Sequence, residues 1–165
     1  MLPMLRYTMS SLPSVEQNPL LGTWKLISAT AINPDGTVEP EVYGPNPTGY
    51  ITYTPEGRMM VVFSRRDRLP LSGDIRSPFS KEIQSLPPQE CLQAFSTFNA
   101  YAGMYTIDGN TVTHHVEIAS IPNRVGTDLV RTFILNGNQV TLQTPPTKTA
   151  GVEKVFELVW EKVAS

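Results

Sequence analysis

Two titratable side chains fall where strand alternation otherwise places apolar residues, and they set the chemical question. If the segments around Asp108-Gly109 pair across a two-residue turn, His114 shares one face with Tyr105, Ile107, Val112, Val116 and Ile118. The same construction around Asn136-Gly137 puts Arg131 on a face with Leu129, Phe133, Val140 and Leu142. Burying a guanidinium among such neighbours is costly unless something pairs with it. An imidazole is cheaper, because it can stay neutral and its ordinary pKa lies close to neutrality. Read as a catalytic set, His114 would act as general acid/base, Tyr105 as hydrogen-bond donor to a developing oxyanion, and Arg131 as an electrostatic anchor. Read as structure, His114 is satisfied by a tyrosine hydroxyl, and Arg131 by a carboxylate or by the ring of Trp24 or Trp160.

Other chemistries find less support. His115 and Glu117 fall on the face opposite His114, and adjacent histidines on a strand diverge, so no metal site is expected. Cys91 sits on a helix candidate as a small apolar residue. No serine sits in an activated context, and neither a phosphate loop nor a dinucleotide fingerprint occurs, so no cofactor is expected. The 165 residues suit one domain, and with 40% hydrophobic residues they can build a core. A net charge of −2 gives no footprint for nucleic acid or an anionic membrane. No apolar run is long enough for a membrane helix. Met1 to Asn18 contains one basic residue, Arg6, and two prolines, which argues against a secretory signal and for a cytoplasmic protein.

The elements that must position these residues are mostly short strands. Leu21 to Ile32 is rich in β-branched residues and ends at the turn cluster Asn33-Pro34-Asp35-Gly36. Gly49 to Thr54 and Arg58 to Ser64 flank Pro55-Glu56-Gly57, a loop that pairs Tyr53 with Met59, Ile51 with Val61 and Gly49 with Phe63. Ser64 to Pro88 breaks the pattern. Its Arg65, Arg66 and Arg68 belong either to a solvated connection or to a lid that meets an anionic group on a ligand. Gln89 to Ala100 reads as a helix, with Leu92, Phe95, Phe98 and Ala102 at helical spacing. Two hairpins and a last strand, Val152 to Val163, complete about eight strands. Antiparallel strands in this order close into an up-and-down barrel with one inserted helix, wide enough to hold a small ligand. Residues 1–19 read as a flexible extension and 20–165 as the barrel domain.

Several stretches carry a resemblance: Gly22-Thr23-Trp24, Tyr43-Gly44-Pro45-Asn46-Pro47-Thr48-Gly49-Tyr50, Tyr53-Thr54-Pro55-Glu56-Gly57, His114-His115-Val116-Glu117, Arg131-Thr132-Phe133 and Leu158-Val159-Trp160-Glu161. Together they resemble the lipocalin-like domain family of small bacterial and fungal proteins, over about residues 20 to 163. The resemblance implies a β-barrel with an internal cavity. Some barrels of this type act as cofactor-free cyclases or isomerases of secondary metabolism, and others bind or carry apolar ligands. The expected ligand is a hydrophobic small molecule, walled by Tyr50, Tyr53, Met59, Phe63, Phe95, Phe133, Phe156 and Trp160. A homodimer stays open. Three readings follow: an isomerase or cyclase on a polyketide- or terpenoid-like metabolite, a carrier, and a barrel plugged by its own aromatic side chains.

Overall fold

The computed structural model describes residues 18–164, so most of the expected extension, residues 1–17, lies outside the described part. The chain forms β1 (Gly22–Ile32), β2 (Val38–Glu39), β3 (Thr48–Tyr53), β4 (Arg58–Ser64), α1 (Pro88–Ser96), β5 (Phe98–Asp108), β6 (Thr111–Ala119), β7 (Asp128–Asn136), β8 (Gln139–Gln143), β9 (Thr147–Thr149) and β10 (Val152–Lys162). Neighbours pair in the order β2-β1-β3-β4-β5-β6-β7-β8-β10-β9, and β1 also pairs with β10. That last pairing closes an antiparallel barrel of eight strands, with β2 and β9 as short additions. Closure leaves the barrel strands without a free edge.

The β3–β4 hairpin has the expected register, Tyr53 opposite Met59 and Gly49 opposite Phe63. The other two hairpins slip by two residues. Asp108 pairs with Thr111 and Tyr105 with His114, so the loop is Gly109-Asn110 rather than Asp108-Gly109. Asn136 likewise pairs with Gln139. In both loops glycine takes the first central position with positive φ, 59° and 61°, as a type II′ turn requires. A slip of two keeps every side chain on its expected face.

Ile118 is the exception to the expected inward set. A β-bulge between Ala102 and Gly103 leaves Glu117 unpaired on β6, which turns Ile118 outward, 67% exposed, and brings Ala119 in. Gly103 makes the bulge possible: a Cβ there would collide with the backbone carbonyl of His115. A second bulge at Ile27 flips β1 so that Ala29 and Ala31 continue the inward set begun by Trp24 and Leu26.

The helix is shorter than expected. It starts with Pro88 in the first turn and ends at Ser96, and Phe98 and Ala102 belong to β5. Seven consecutive pairings between β4 and β5, from Arg58–Met104 to Ser64–Phe98, outweigh a local spacing that suits either element. None of the helix residues is buried. The arginine cluster before it is a structural tie. Arg65 pairs with Asp67, Arg66 donates to the Asn46 carbonyl, and Arg68 donates to the Ala94 carbonyl and Thr97 Oγ1 at the end of α1.

Candidate functional site: a cavity with a buried Tyr–His–Tyr series at its floor

The barrel is packed solid at one end and hollow at the other. Leu20, Trp24, Tyr53, Tyr105, Val112 and Val140 fill the closed end. Toward the end where α1 lies, a cavity of about 720 Å³ opens, walled largely by apolar side chains, among them Phe63, Leu142, Phe156 and Trp160. Phe95 of α1 stands at its mouth, 53% exposed. The barrel is therefore not plugged by its own aromatic residues.

His114 does not reach this space. It is 1% exposed and lies in the packed floor. Its Nε2 is 2.8 Å from the Tyr53 hydroxyl and its Nδ1 is 2.9 Å from the Tyr101 hydroxyl. Burial, with the Arg131 charge adding to it, pushes the imidazole down to about 3, so it is neutral. A neutral imidazole has one N–H, so one nitrogen donates to a phenol and the other accepts from the second phenol. The two tautomers differ only in which tyrosine receives the N–H.

Tyr101 is the member that also lines the cavity. Burial pushes its phenol up, against the pull of the Arg131 and Arg124 charges. Tyr105, expected beside His114, is opposite it in register but binds elsewhere. Its hydroxyl donates to the Thr54 carbonyl and accepts from Asn18 at the closed end, and its ring stands edge-on to Tyr53.

Arg131 lines the cavity, and its Nη1 donates to the carbonyl of its own neighbour, Val130. Among the described residues no carboxylate lies within ion-pair distance of it, and neither tryptophan ring receives it. A second arginine, Arg124, comes from the loop between β6 and β7. Its Nη1 donates to Asn99 Oδ1 at 3.2 Å and its guanidinium lies 5.6 Å from the Tyr101 ring centre. Asp128 also borders the space, but its carboxylate is held by His115 on the outside of the wall, at 2.7 Å.

Of the residues expected at the ligand, the structure brings Arg131, Phe63, Phe95, Phe156 and Trp160 together around the cavity. Tyr53, Met59 and Phe133 are buried but belong to the packed core. Tyr50 is on the outside, 46% exposed, because its neighbours Gly49 and Ile51 take the inward positions. Sequence reasoning missed Tyr101, Asn99 and Arg124. Tyr101 has the signal: it lies two alternations before Tyr105, on the same face. Arg124 has none, being in a loop without periodicity.

Closed up-and-down barrels with a single apolar hollow form a class built to hold small molecules. The chain belongs to the lipocalin-like domain family, whose model matches residues 21–163. No curated protein matches it. Among solved structures it is similar to a lipocalin-like protein from Bacteroides uniformis ATCC 8492, at 13% identity, over 87% of this chain and 98% of that one, with a TM-score of 0.42. Among the described residues, no helix is long and apolar enough to cross a membrane.

Proposed function

We propose that the barrel is a cofactor-independent cyclase or isomerase for a hydrophobic small metabolite, with Tyr101 rather than His114 meeting the substrate. The observation that carries this reading is the position of Tyr101, whose hydroxyl meets His114 Nδ1 and whose side chain forms part of the cavity wall. When His114 Nδ1–H donates to the Tyr101 oxygen, the Tyr101 proton is free to donate to a substrate carbonyl. His114 is then a positioning residue. The charged groups aimed into the hollow, Arg131 and Arg124, are donors as well. A site of donors favours polarising a carbonyl over abstracting a proton. It suits an intramolecular ring closure or rearrangement, in which bonds are exchanged within one molecule and nothing is added or lost. Confinement of a flexible chain by the apolar walls supplies the entropic part of the acceleration, and donors fixed in a dry site supply the electrostatic part.

The test is incubation of the protein with an apolar extract of its source cells, read as conversion between compounds of equal mass. Conversion by the native protein that is lost in Tyr101→Phe supports the enzyme. A compound recovered unaltered at stoichiometric occupancy decides for a carrier instead, which the predominantly apolar lining would equally serve.

A further inference from the structure

We infer that the molecule this cavity takes is an acid, whose carboxylate is seated beside Tyr101 by Arg131 and Arg124. The inference rests on the cavity being a ligand site, and it holds for an enzyme and a carrier alike. Two guanidinium groups face one largely apolar space, and among the described residues neither has an ion-pair partner. Among the described residues Arg131 donates to the Val130 carbonyl and to the Tyr101 hydroxyl, and Arg124 to the Asn99 amide oxygen, all of them neutral acceptors. Burial, and after it the Arg131 charge, raise the cost of keeping Arg124 charged.

Natural barrels do not ordinarily turn two unpaired cations inward, so the missing negative charge points to the ligand. A carboxylate offers two charged oxygens to the two guanidiniums and leaves the Tyr101 proton free, which a neutral alcohol or hydrocarbon cannot match. The surroundings agree with this sign. Arg65 and Arg68 lie near Tyr43 at the mouth, as Arg124 does. Against them stand Asp67, paired with Arg65, Glu90, which accepts from Ser72, and Asp128, held by His115. The apolar body of such an acid would lie along Phe63, Phe156 and Trp160.

The experiment compares cis-parinaric acid with its methyl ester, titrated into the full chain at neutral pH and followed by probe fluorescence. The acid is expected to bind about ten-fold or more tightly than the ester, the margin of a charge-assisted pairing. Arg131→Met and Arg124→Met should each shrink that ratio while leaving ester affinity in place, and the double substitution should abolish it. Thermal unfolding of Arg131→Met supplies a second readout. Removing an unpaired cation should leave the midpoint of the ligand-free protein unchanged or raise it, whereas a marked drop would make Arg131 a structural residue and overturn the assignment. Equal affinity for acid and ester, a ratio that survives both substitutions, or no binding of either probe to the folded barrel would each overturn it too. None of these results bears on whether a bound molecule is converted.

Discussion

The two ends of this barrel solve the same problem in opposite ways. At the closed end the polar side chains find partners in the protein in turn: Trp24 Nε1 donates to the Leu20 carbonyl, Tyr105 donates to Thr54, and His114 is held between two phenols. At the open end guanidinium groups face a hollow, and the helix across the mouth buries none of its residues. Stability is concentrated where the polar groups are satisfied, and binding capacity where they are not. The lesson is one of division of labour along a single sheet: the same strands carry a core residue at one level and a cavity residue four positions away, as Tyr105 and Tyr101 do on β5.

Substitutions at the two ends should therefore differ most in stability, and Trp24→Ala should show the largest loss. Trp24 is 3% exposed, and Lys162 Nζ lies 4.7 Å from the centre of its ring. Removing it leaves a void among Leu20, Leu26 and Ile51, and a cost of about 3–5 kcal/mol is expected in chemical denaturation. A loss below about 1 kcal/mol would mean that the closed end is not the stable half.

Gly103→Ala comes next, because it attacks the bulge rather than the core. The added methyl group meets backbone, the His115 carbonyl and the Glu117 amide, and backbone cannot rotate away. Relieving the clash means separating β5 from β6, at roughly 1–3 kcal/mol. The same substitution should loosen the floor where His114 pairs across to Tyr105, visible as faster amide exchange along both strands.

The buried imidazole gives the closed end a pH signature. The unfolded chain takes up a proton at His114 near the ordinary value of 6.5, while the folded protein resists until about 3. Stability from this residue is thus complete above 6.5 and is lost as the pH falls through that window, by up to about 1.4 kcal/mol per pH unit. Asp35, Glu39, Asp67 and Glu90 are all held below the usual carboxylate range by hydrogen bonds to their neighbours, so their contribution is lost at lower pH. His114 contributes to the fall in stability from pH 6.5 down to 5. His114→Gln should flatten that fall in urea titrations, and an unchanged slope would place the proton elsewhere.

How much of this was legible in the sequence follows from what each feature depends on. Hairpins were legible because Gly109 and Gly137 encode turns locally, and a slip of two residues is invisible to face assignment. The closing strand was legible because Phe156, Leu158 and Trp160 alternate with a second face that carries Glu153, Glu157 and Glu161 beside Val155 and Val159. The bulge at Glu117 was not, since nothing in His114 to Ala119 departs from alternation; the signal is Gly103, which reads as an ordinary strand glycine until its partner strand is known. Phe98 was assigned to a helix because local spacing cannot weigh a strand pairing 34 positions away, that of Phe98 with Ser64. The donor set was only half legible. Arg131 stands out on an apolar face, but Tyr101 passes for a core aromatic and Arg124 for a loop cation until the fold brings them together.

The smallest effect on stability should come from Phe95→Ala at the open end, and it sharpens the contrast with Trp24 most. Both are large aromatic residues facing the inside of the same barrel, yet Phe95 is 53% exposed and sits on a helix with no buried residue. Little apolar area returns to water when it is truncated, so the change in unfolding free energy should stay within about 0.5 kcal/mol. Its place in the mouth gives it a kinetic role instead. With the ring gone, a probe held in the cavity has a wider way out, and stopped-flow displacement should show a several-fold faster release with little change in the amplitude of binding. A loss of stability comparable to that of Trp24→Ala would show that the helix is part of the core and that the two ends are not divided as drawn.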